Sequence, residues 1–359
     1  MSESNETRRH EQLEHLMERA VTTCSDRIHE AHYAFAGHAA RIRVVGDQLA
    51  EQLVLTFGHL RRSESARSHL TIDLWDQRET GVRSPLQVPS NSLGLSPGLS
   101  ISEDNRFVTS VLRQSITSFD RRQERIVGVA LDADCLSLYE RGRPLHVPLS
   151  FWHADRGVPL VHAALVSQEG CGILLAGSAR AGKTVSSLAC AAAGFHYLAD
   201  DLTGLEIRAD GTAWGHSVFG SAFVDERTLL RSSAYADLSR RGTYDHEHKQ
   251  LLFVTQIRPM KLAAQTRICA IVLLQNTDAD TPSIQPATKS ETLVIMIQNA
   301  MRNITAHARG NDFELLGRLS EAIPSFWLRL GNTPEETPHH LKRILETTRR
   351  SANGLESEV

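Results

Sequence analysis

The spacing of apolar residues changes several times along the chain. Between residues 5 and 32 it is mostly polar, with Leu13, Leu16, Met17 and Val21 at helical spacing. That pattern predicts an amphipathic helix whose apolar stripe packs on a core or a partner. Residues 33–36 and 42–45 alternate like short strands around Gly37, and Asp47 can cap a helix running to about Gly58 with Leu49, Leu53 and Phe57 inward. Residues 69–75 alternate at period two, which predicts a strand with one buried face. Residues 77–105 carry no period and are rich in Ser, Pro and Gly, so a long loop is expected. Strand-like runs resume at 127–131 and 136–139.

From residue 158 the apolar runs become denser. Residues 158–166 and 171–176 are separated by a Gln168-Glu169-Gly170 turn, and a helix-compatible stretch follows at 184–193. Strand-like runs at 196–199 and 202–207 flank Asp200 and Asp201. Residues 268–274 are continuously apolar, the signature of a strand buried on both faces. The chain then reads as helix 289–305, helix 312–323, strand 325–330 and helix 334–348, the last capped by Thr333 with Pro334 in its first turn. The prediction is an α/β protein: an N-terminal α/β domain over 1–150 and a second α/β domain over 151–359.

Composition narrows the classes. The 359 residues include 39 Lys+Arg and 42 Asp+Glu, a net charge of −3, which offers no bulk electrostatic basis for binding nucleic acid. The 41% apolar content suffices for packed cores. No run approaches the roughly 20 apolar residues of a membrane span, and the charged N-terminus lacks a signal-peptide core. The cysteines (24, 135, 171, 190, 269) are odd in number, with no CxxC pair, so no disulfide framework is expected. A reduced, cytoplasmic protein is the expectation.

The chemistry concentrates in one stretch. Gly177-Ser178-Ala179-Arg180-Ala181-Gly182-Lys183-Thr184 matches the phosphate-binding pattern G-x-x-x-x-G-K-[ST], with a strand leading in and a helix leading out. Such a loop turns its backbone N–H groups and the positive end of the helix toward a phosphate. Lys183 adds a point charge, and the Thr184 hydroxyl can ligate Mg²⁺. Asp200 and Asp201, one helix later at a strand end, supply the hard oxygen ligands Mg²⁺ takes, and they point to opposite sides of an extended backbone. One carboxylate can face a metal and the other an attacking hydroxyl. His162, beside apolar residues, reads either as a core histidine or as a group that tunes a neighbouring carboxylate.

Together these residues resemble the C-terminal catalytic domain of the HPr kinase/phosphorylase family, whose P-loop core is similar to that of phosphoenolpyruvate carboxykinase. His162 lies 15 residues before Gly177, and Asp200 and Asp201 lie 17 and 18 after Lys183, the family's own offsets. The resemblance is close over about 158–208 and holds in outline beyond. It implies a kinase that uses ATP and Mg²⁺ to phosphorylate a Ser or Thr hydroxyl of a protein or peptide. It implies Asp200 as the base, with His162 beside it, Asp201 and Thr184 on the metal, and Lys183 on the phosphates. It also implies a homo-oligomer. Three departures stand out. Ala179-Arg180 replaces the family's usual Ser-Gly, and Arg180 could reach a γ-phosphate or an acidic acceptor. Residues 216–223 replace the later Gly/Arg-rich signature that serves HPr binding and phosphorolysis, so HPr itself is not the expected acceptor. The first 150 residues differ from the family's N-terminal domain, and they and the loop at 77–105 are the expected recognition elements. The whole chain is more similar to divergent HPr-kinase-related proteins, some of which phosphorylate a serine on a precursor peptide. The alternatives are a small-molecule kinase on the same core and a nucleotide-binding regulatory protein with little catalysis.

Other clusters read as weaker. Tyr244 to Lys249, with His246 and His248, is expected to be a polar loop; Lys249, Arg258, Lys261, Arg302 and Arg309 compete as an additional cation for the transferred group. His339 and His340 diverge on a helix and are not expected to share a metal. Trp75, Trp152, Trp214 and Trp327 read as core anchors.

Overall fold

The computed structural model describes residues 5–63, 67–85, 98–225, 249–257, 260–277, 281–303, 310–331 and 333–355, with the side chains of 301–311 and 351–355 outside the description. The fold is mixed α/β with several sheets, and the chain divides into two compact units, Met1–Trp152 and His153–Val359.

In the first unit the described strands are β1 (Ile28–Phe35), β2 (His38–Val45), β3 (Arg61–Arg62), β4 (Leu70–Asp76), β5 (Gly98–Ile101), β6 (Phe107–Val111), β7 (Ser115–Asp120) and β8 (Arg125–Ala130). They form one sheet in the order β3-β1-β2-β4-β8-β7-β6-β5, with β2–β4 and β4–β8 parallel. The β1–β2 hairpin closes on Ala36 and Gly37, both at positive φ, as a two-residue hairpin matched to strand twist requires. Helix α1 (Asn5–Thr23) buries Leu13, Leu16, Met17 and Ala20 against Val45, Trp75, Ile116, Val127 and Val129, so its apolar stripe is satisfied within its own unit. Helix α2 (Asp47–Phe57) packs on β1 and β2, with Phe57 edge-on to Phe35 at 5.2 Å. The helices α3 (Gln77–Thr80), α4 (Leu138–Gly142) and α5 (His146–Asp155) complete the described part, the division between units falling inside α5.

Two expectations fail here. The strand expected at 136–139 is instead the start of α4, because Ser137 and Glu140 form a reciprocal capping box. The loop expected over 77–105 contains α3 and β5, with 86–97 outside the described residues; β6 and β7, which follow it, were not anticipated.

The second unit is built on β9 (Leu160–Val161), β10 (Ala164–Gln168), β11 (Cys171–Ala176), β12 (His196–Ala199), β13 (Thr203–Ile207), β14 (Ala213–Ser217), β15 (Ser221–Asp225), β16 (Lys249–Phe253), β17 (Lys261–Leu262), β18 (Gln265–Asn276), β19 (Ser283–Pro286) and β20 (Ser325–Leu330). Its main sheet runs β17-β12-β10-β11-β18-β14-β13-β9; β20 also pairs with β18 and β19 with β20, while β15 and β16 pair separately. The continuous apolar run lies in β18, parallel to both β11 and β20. Its side chains alternate between two cores. Ile271 and Leu273 meet Met296, Leu316 and Leu319 of α7 (Lys289–Asn303) and α8 (Gly310–Ala322). Ala270, Val272 and Leu274 meet Cys190 of α6 (Lys183–Ala192) and Leu341 and Ile344 of α9 (Thr337–Leu355). Helices cover both faces, so the segment Ala270–Leu274 of β18 is buried on both sides.

Smaller corrections concern ends and anchors. Pro334–Glu336 forms a short 3₁₀ turn before α9, and Thr333 makes no side-chain cap. Trp75 and Trp152 are fully buried, whereas Trp214 and Trp327 are half-buried: Arg208 stacks 3.6 Å over Trp214, and the Trp327 Nε1–H donates to Glu291. Among the described residues no helix is long and apolar enough to cross a membrane.

His10 provides a test of the first unit. Its ring is 2% exposed, 2.9 Å from Ser118 Oγ through Nδ1 and 5.0 Å from the Phe107 ring. Burial pushes its pKa down from 6.5 to about 4. Above pH 6.5 the imidazole is neutral whether the chain is folded or not. Below it, the unfolded chain takes up a proton that the folded unit accepts only near pH 4. Stability is therefore lost as pH falls through that interval, by about 3 kcal/mol. Urea unfolding from pH 7 to pH 4 should show wild type losing roughly that much more than His10→Gln; equal slopes would contradict a buried neutral His10.

Candidate active site

The segment from Gly177 to Gly182 joins the end of β11 to the start of α6. It lies directly on β18. A Cβ on Gly177 would sit 2.8 Å from the Leu274 carbonyl oxygen and 2.8 Å from the Ala181 Cβ, so the backbone approaches as closely as only glycine allows. The Ala181 N–H donates to the Ser178 carbonyl at 3.2 Å, closing a tight turn whose third residue, Arg180, has φ +62°. Glycine is the usual occupant of that position. Gly182 follows at φ +99° as the N-cap of α6, and no side chain caps the helix there. The first N–H groups of α6 thus emerge at the loop with the positive end of the helix behind them.

Lys183, the first residue of α6, is 6% exposed. Its Nζ donates to the carbonyls of Gly177 at 3.0 Å and Ser178 at 3.1 Å, which tethers the ammonium beneath the loop. The Thr184 hydroxyl donates to Asp200 Oδ2 at 3.3 Å, and that same oxygen accepts the Phe223 backbone N–H of β15 at 3.2 Å. Asp200 is buried. Two hard oxygen donors, a hydroxyl and a carboxylate, therefore meet beside the loop, a donor set suited to Mg²⁺. Among the described residues there is no group of three or more His, Cys, Asp or Glu able to hold a metal by themselves. Magnesium, which commonly keeps waters and phosphate oxygens as ligands, does not require one.

Asp201 turns the other way. Its Oδ1 lies 2.8 Å from Nδ1 of His162. The predicted single run 158–166 is broken at this histidine: the Ala163 N–H donates back to the Val161 carbonyl at 2.8 Å, making a three-residue turn between β9 and β10. Val161 pairs with Thr203, whose hydroxyl donates to the Ala163 carbonyl at 2.7 Å. These bonds hold the histidine turn against the residues following Asp201. A carboxylate only accepts, so the ring proton is on Nδ1, and in the neutral ring Nε2 is the acceptor.

The expected pairings are thereby exchanged. Thr184 was expected with Asp201 and His162 with Asp200; the structure pairs Thr184 with Asp200 and His162 with Asp201. Asp200 and Asp201 lie in a bend between β12 and β13 rather than on the extended backbone expected of them, and of the two it is Asp200 that reaches α6. A register shift between Leu165 and Val166 lies opposite β12, just before the pair.

The remaining candidates separate. Ser178, Ala179 and Arg180 are exposed on the crest of the loop, while Ala181 is buried in the core shared with Leu274 and Leu330. Lys249 stands in register with Asp225 on the β15–β16 pair, and Lys261 with His196. Tyr244, His246, His248, Arg258 and Arg309 lie outside the described residues, as does the side chain of Arg302. The rings of His339 and His340 are inclined at 77°. Sequence reasoning missed Phe223, Thr203 and Asn276. Asn276, at the end of β18, donates from Nδ2 to the Arg180 carbonyl. The available signal was the polar pair Gln275-Asn276 closing the apolar run 268–274.

No family model matches the chain, and no curated protein matches it. Among solved structures, the HPr(Ser) kinase/phosphatase from Coxiella burnetii aligns at 12% identity with a TM-score of 0.34, over 55% of this chain and 94% of that one.

The crowding at Gly177 is testable. Gly177→Ala forces its new methyl group against a backbone carbonyl that cannot rotate away. Thermal unfolding should report a loss of about 1–3 kcal/mol. An unchanged midpoint would mean that the loop does not rest on β18 as described.

Proposed function

We infer that the second unit is a kinase that transfers the γ-phosphoryl group of ATP to a Ser or Thr hydroxyl of a protein or peptide. The observation that carries this reading is the division of labour between Asp200 and Asp201: one carboxylate meets Thr184 beside the loop, the other meets His162. Phosphoryl transfer needs both functions separately, charge neutralisation on the donor and proton removal from the acceptor.

On the donor side, the loop N–H groups, the start of α6 and the Lys183 ammonium receive the phosphates. Thr184 and Asp200 would hold the magnesium ion that accompanies ATP, which neutralises phosphate charge. Asp200 is kept in that orientation by the Phe223 N–H. On the acceptor side, the incoming hydroxyl gives its proton to the His162–Asp201 pair. Asp201 fixes the ring through Nδ1 and compensates the positive charge when Nε2 takes the proton, the same orienting logic as in a hydrolase triad. His162 and Asp201 are each partly exposed, so an acceptor can approach them. Arg180, exposed on the crest of the loop, is available to the γ-phosphoryl group or to an acidic acceptor. The assignment of the base thus moves from Asp200 to the His162–Asp201 pair.

Incubation with γ-labelled ATP, magnesium and lysate from the producing organism tests the reading. Wild type should label a discrete protein or peptide. Asp201→Asn and His162→Ala should each cut the rate by roughly 10²–10⁴-fold while still binding ATP. Tight ATP binding with no labelled macromolecule would exclude a protein acceptor, and a free phosphorylated product in the same tube would assign the activity to a small molecule.

A further inference from the structure

We propose that Asn276 is a positioning residue for the loop, doing through one side-chain bond what glycine at position 180 would do through its backbone. The proposal rests on the reading of the loop as a nucleotide site.

The turn from Ser178 to Ala181 needs positive φ at its third residue, and Arg180 takes φ +62° there. For a side chain with a Cβ this region is disfavoured by crowding against the following carbonyl. Something must therefore hold it. The Asn276 carboxamide does so: its Nδ2–H donates to the Arg180 carbonyl, and its Oδ1 lies 3.2 Å from where a Cβ on Gly182 would stand. One side chain thus spans the crest from residue 180 to residue 182. Its own position is fixed on both sides. Asn276 closes β18 opposite Leu330, and the Thr277 hydroxyl after it donates to the Leu330 carbonyl at 2.9 Å.

The consequence for a ligand is directional. In a trans peptide the carbonyl and the following N–H point opposite ways. With the Arg180 carbonyl drawn toward Asn276, the Ala181 N–H is sent to the Ser178 carbonyl, so the turn is closed before any phosphate arrives. Without the carboxamide, the 180–181 peptide is free to turn about ψ of Arg180 and φ of Ala181, which releases the Ala181 N–H from the Ser178 carbonyl; once that bond is lost, nothing holds Arg180 at positive φ and the cradle opens. Binding would then have to supply the ordering that Asn276 supplies in advance. Arg180 can stand where glycine is usual, with its guanidinium exposed toward solvent, because Asn276 stabilises the backbone beneath it.

The test is a double-mutant cycle on MgATP affinity, measured by calorimetry on the full chain. Asn276→Ala should weaken binding about 10-fold, the loss expected of one net hydrogen bond. Asn276→Asp, which keeps the shape but cannot donate, should lose at least as much. In the Arg180→Gly background, where the turn costs no strain, Asn276→Ala should change affinity by no more than about 2-fold. In turnover the same substitution should raise KM for ATP with kcat largely kept. Unaltered affinity in Asn276→Ala, or an equal loss in both backgrounds, overturns the role given to Asn276 and leaves the loop's reading intact. Failure of wild type to bind MgATP overturns both.

Discussion

The candidate site depends on the parallel pairing of β11 with β18. That pairing runs from Cys171 to Ala176, opposite Arg267 to Leu273; there β11 releases its chain into the loop, while β18 continues to Asn276 beside it. Parallel strands deliver their carboxyl ends to the same edge of a sheet, and ligands of α/β sheets bind at that edge. Here the edge of β18 is the surface on which Gly177 rests and to which Arg180 is bonded. Burial of β18 on both faces makes that edge rigid, because every residue from Ala270 to Leu274 is held in one core or the other.

Around that platform the two aspartates are sorted by backbone geometry. Asp200 turns toward the start of α6 and Asp201 toward the turn at His162. Their separate partners give them different surroundings, which is what would let adjacent identical residues take the different roles proposed for them. β15 contributes a backbone N–H, so the orientation of Asp200 also depends on a strand outside the main sheet.

How much of this was legible depends on the range of the interactions. β18 was legible because seven consecutive apolar residues fit only a doubly buried element, and the loop was legible because its residue types are dictated by local sterics and charge. Helix α4 was misread as a strand although its Ser137–Glu140 capping box is written in the sequence; the apolar alternation of Leu136 and Leu138 outweighed it. The break at His162 was hidden because Val161 and Ala163 are as apolar as a strand interior. The pairing of each aspartate was illegible for a different reason. Each is oriented by partners, Thr184 and Phe223 for Asp200 and His162 for Asp201, that the fold and not the local spacing brings to it. Asn276 was likewise passed over, since its role appears only once Arg180 is seen at positive φ.

The central claim is that Asp200 serves the metal-bearing donor while Asp201 serves the acceptor's proton. The most direct measurement is ATP affinity with and without magnesium for Asp200→Asn and Asp201→Asn, each against wild type. The account predicts that Asp200→Asn abolishes most of the gain in affinity that magnesium confers, whereas Asp201→Asn retains it. Retention of that gain by Asp200→Asn together with its loss in Asp201→Asn would contradict the account.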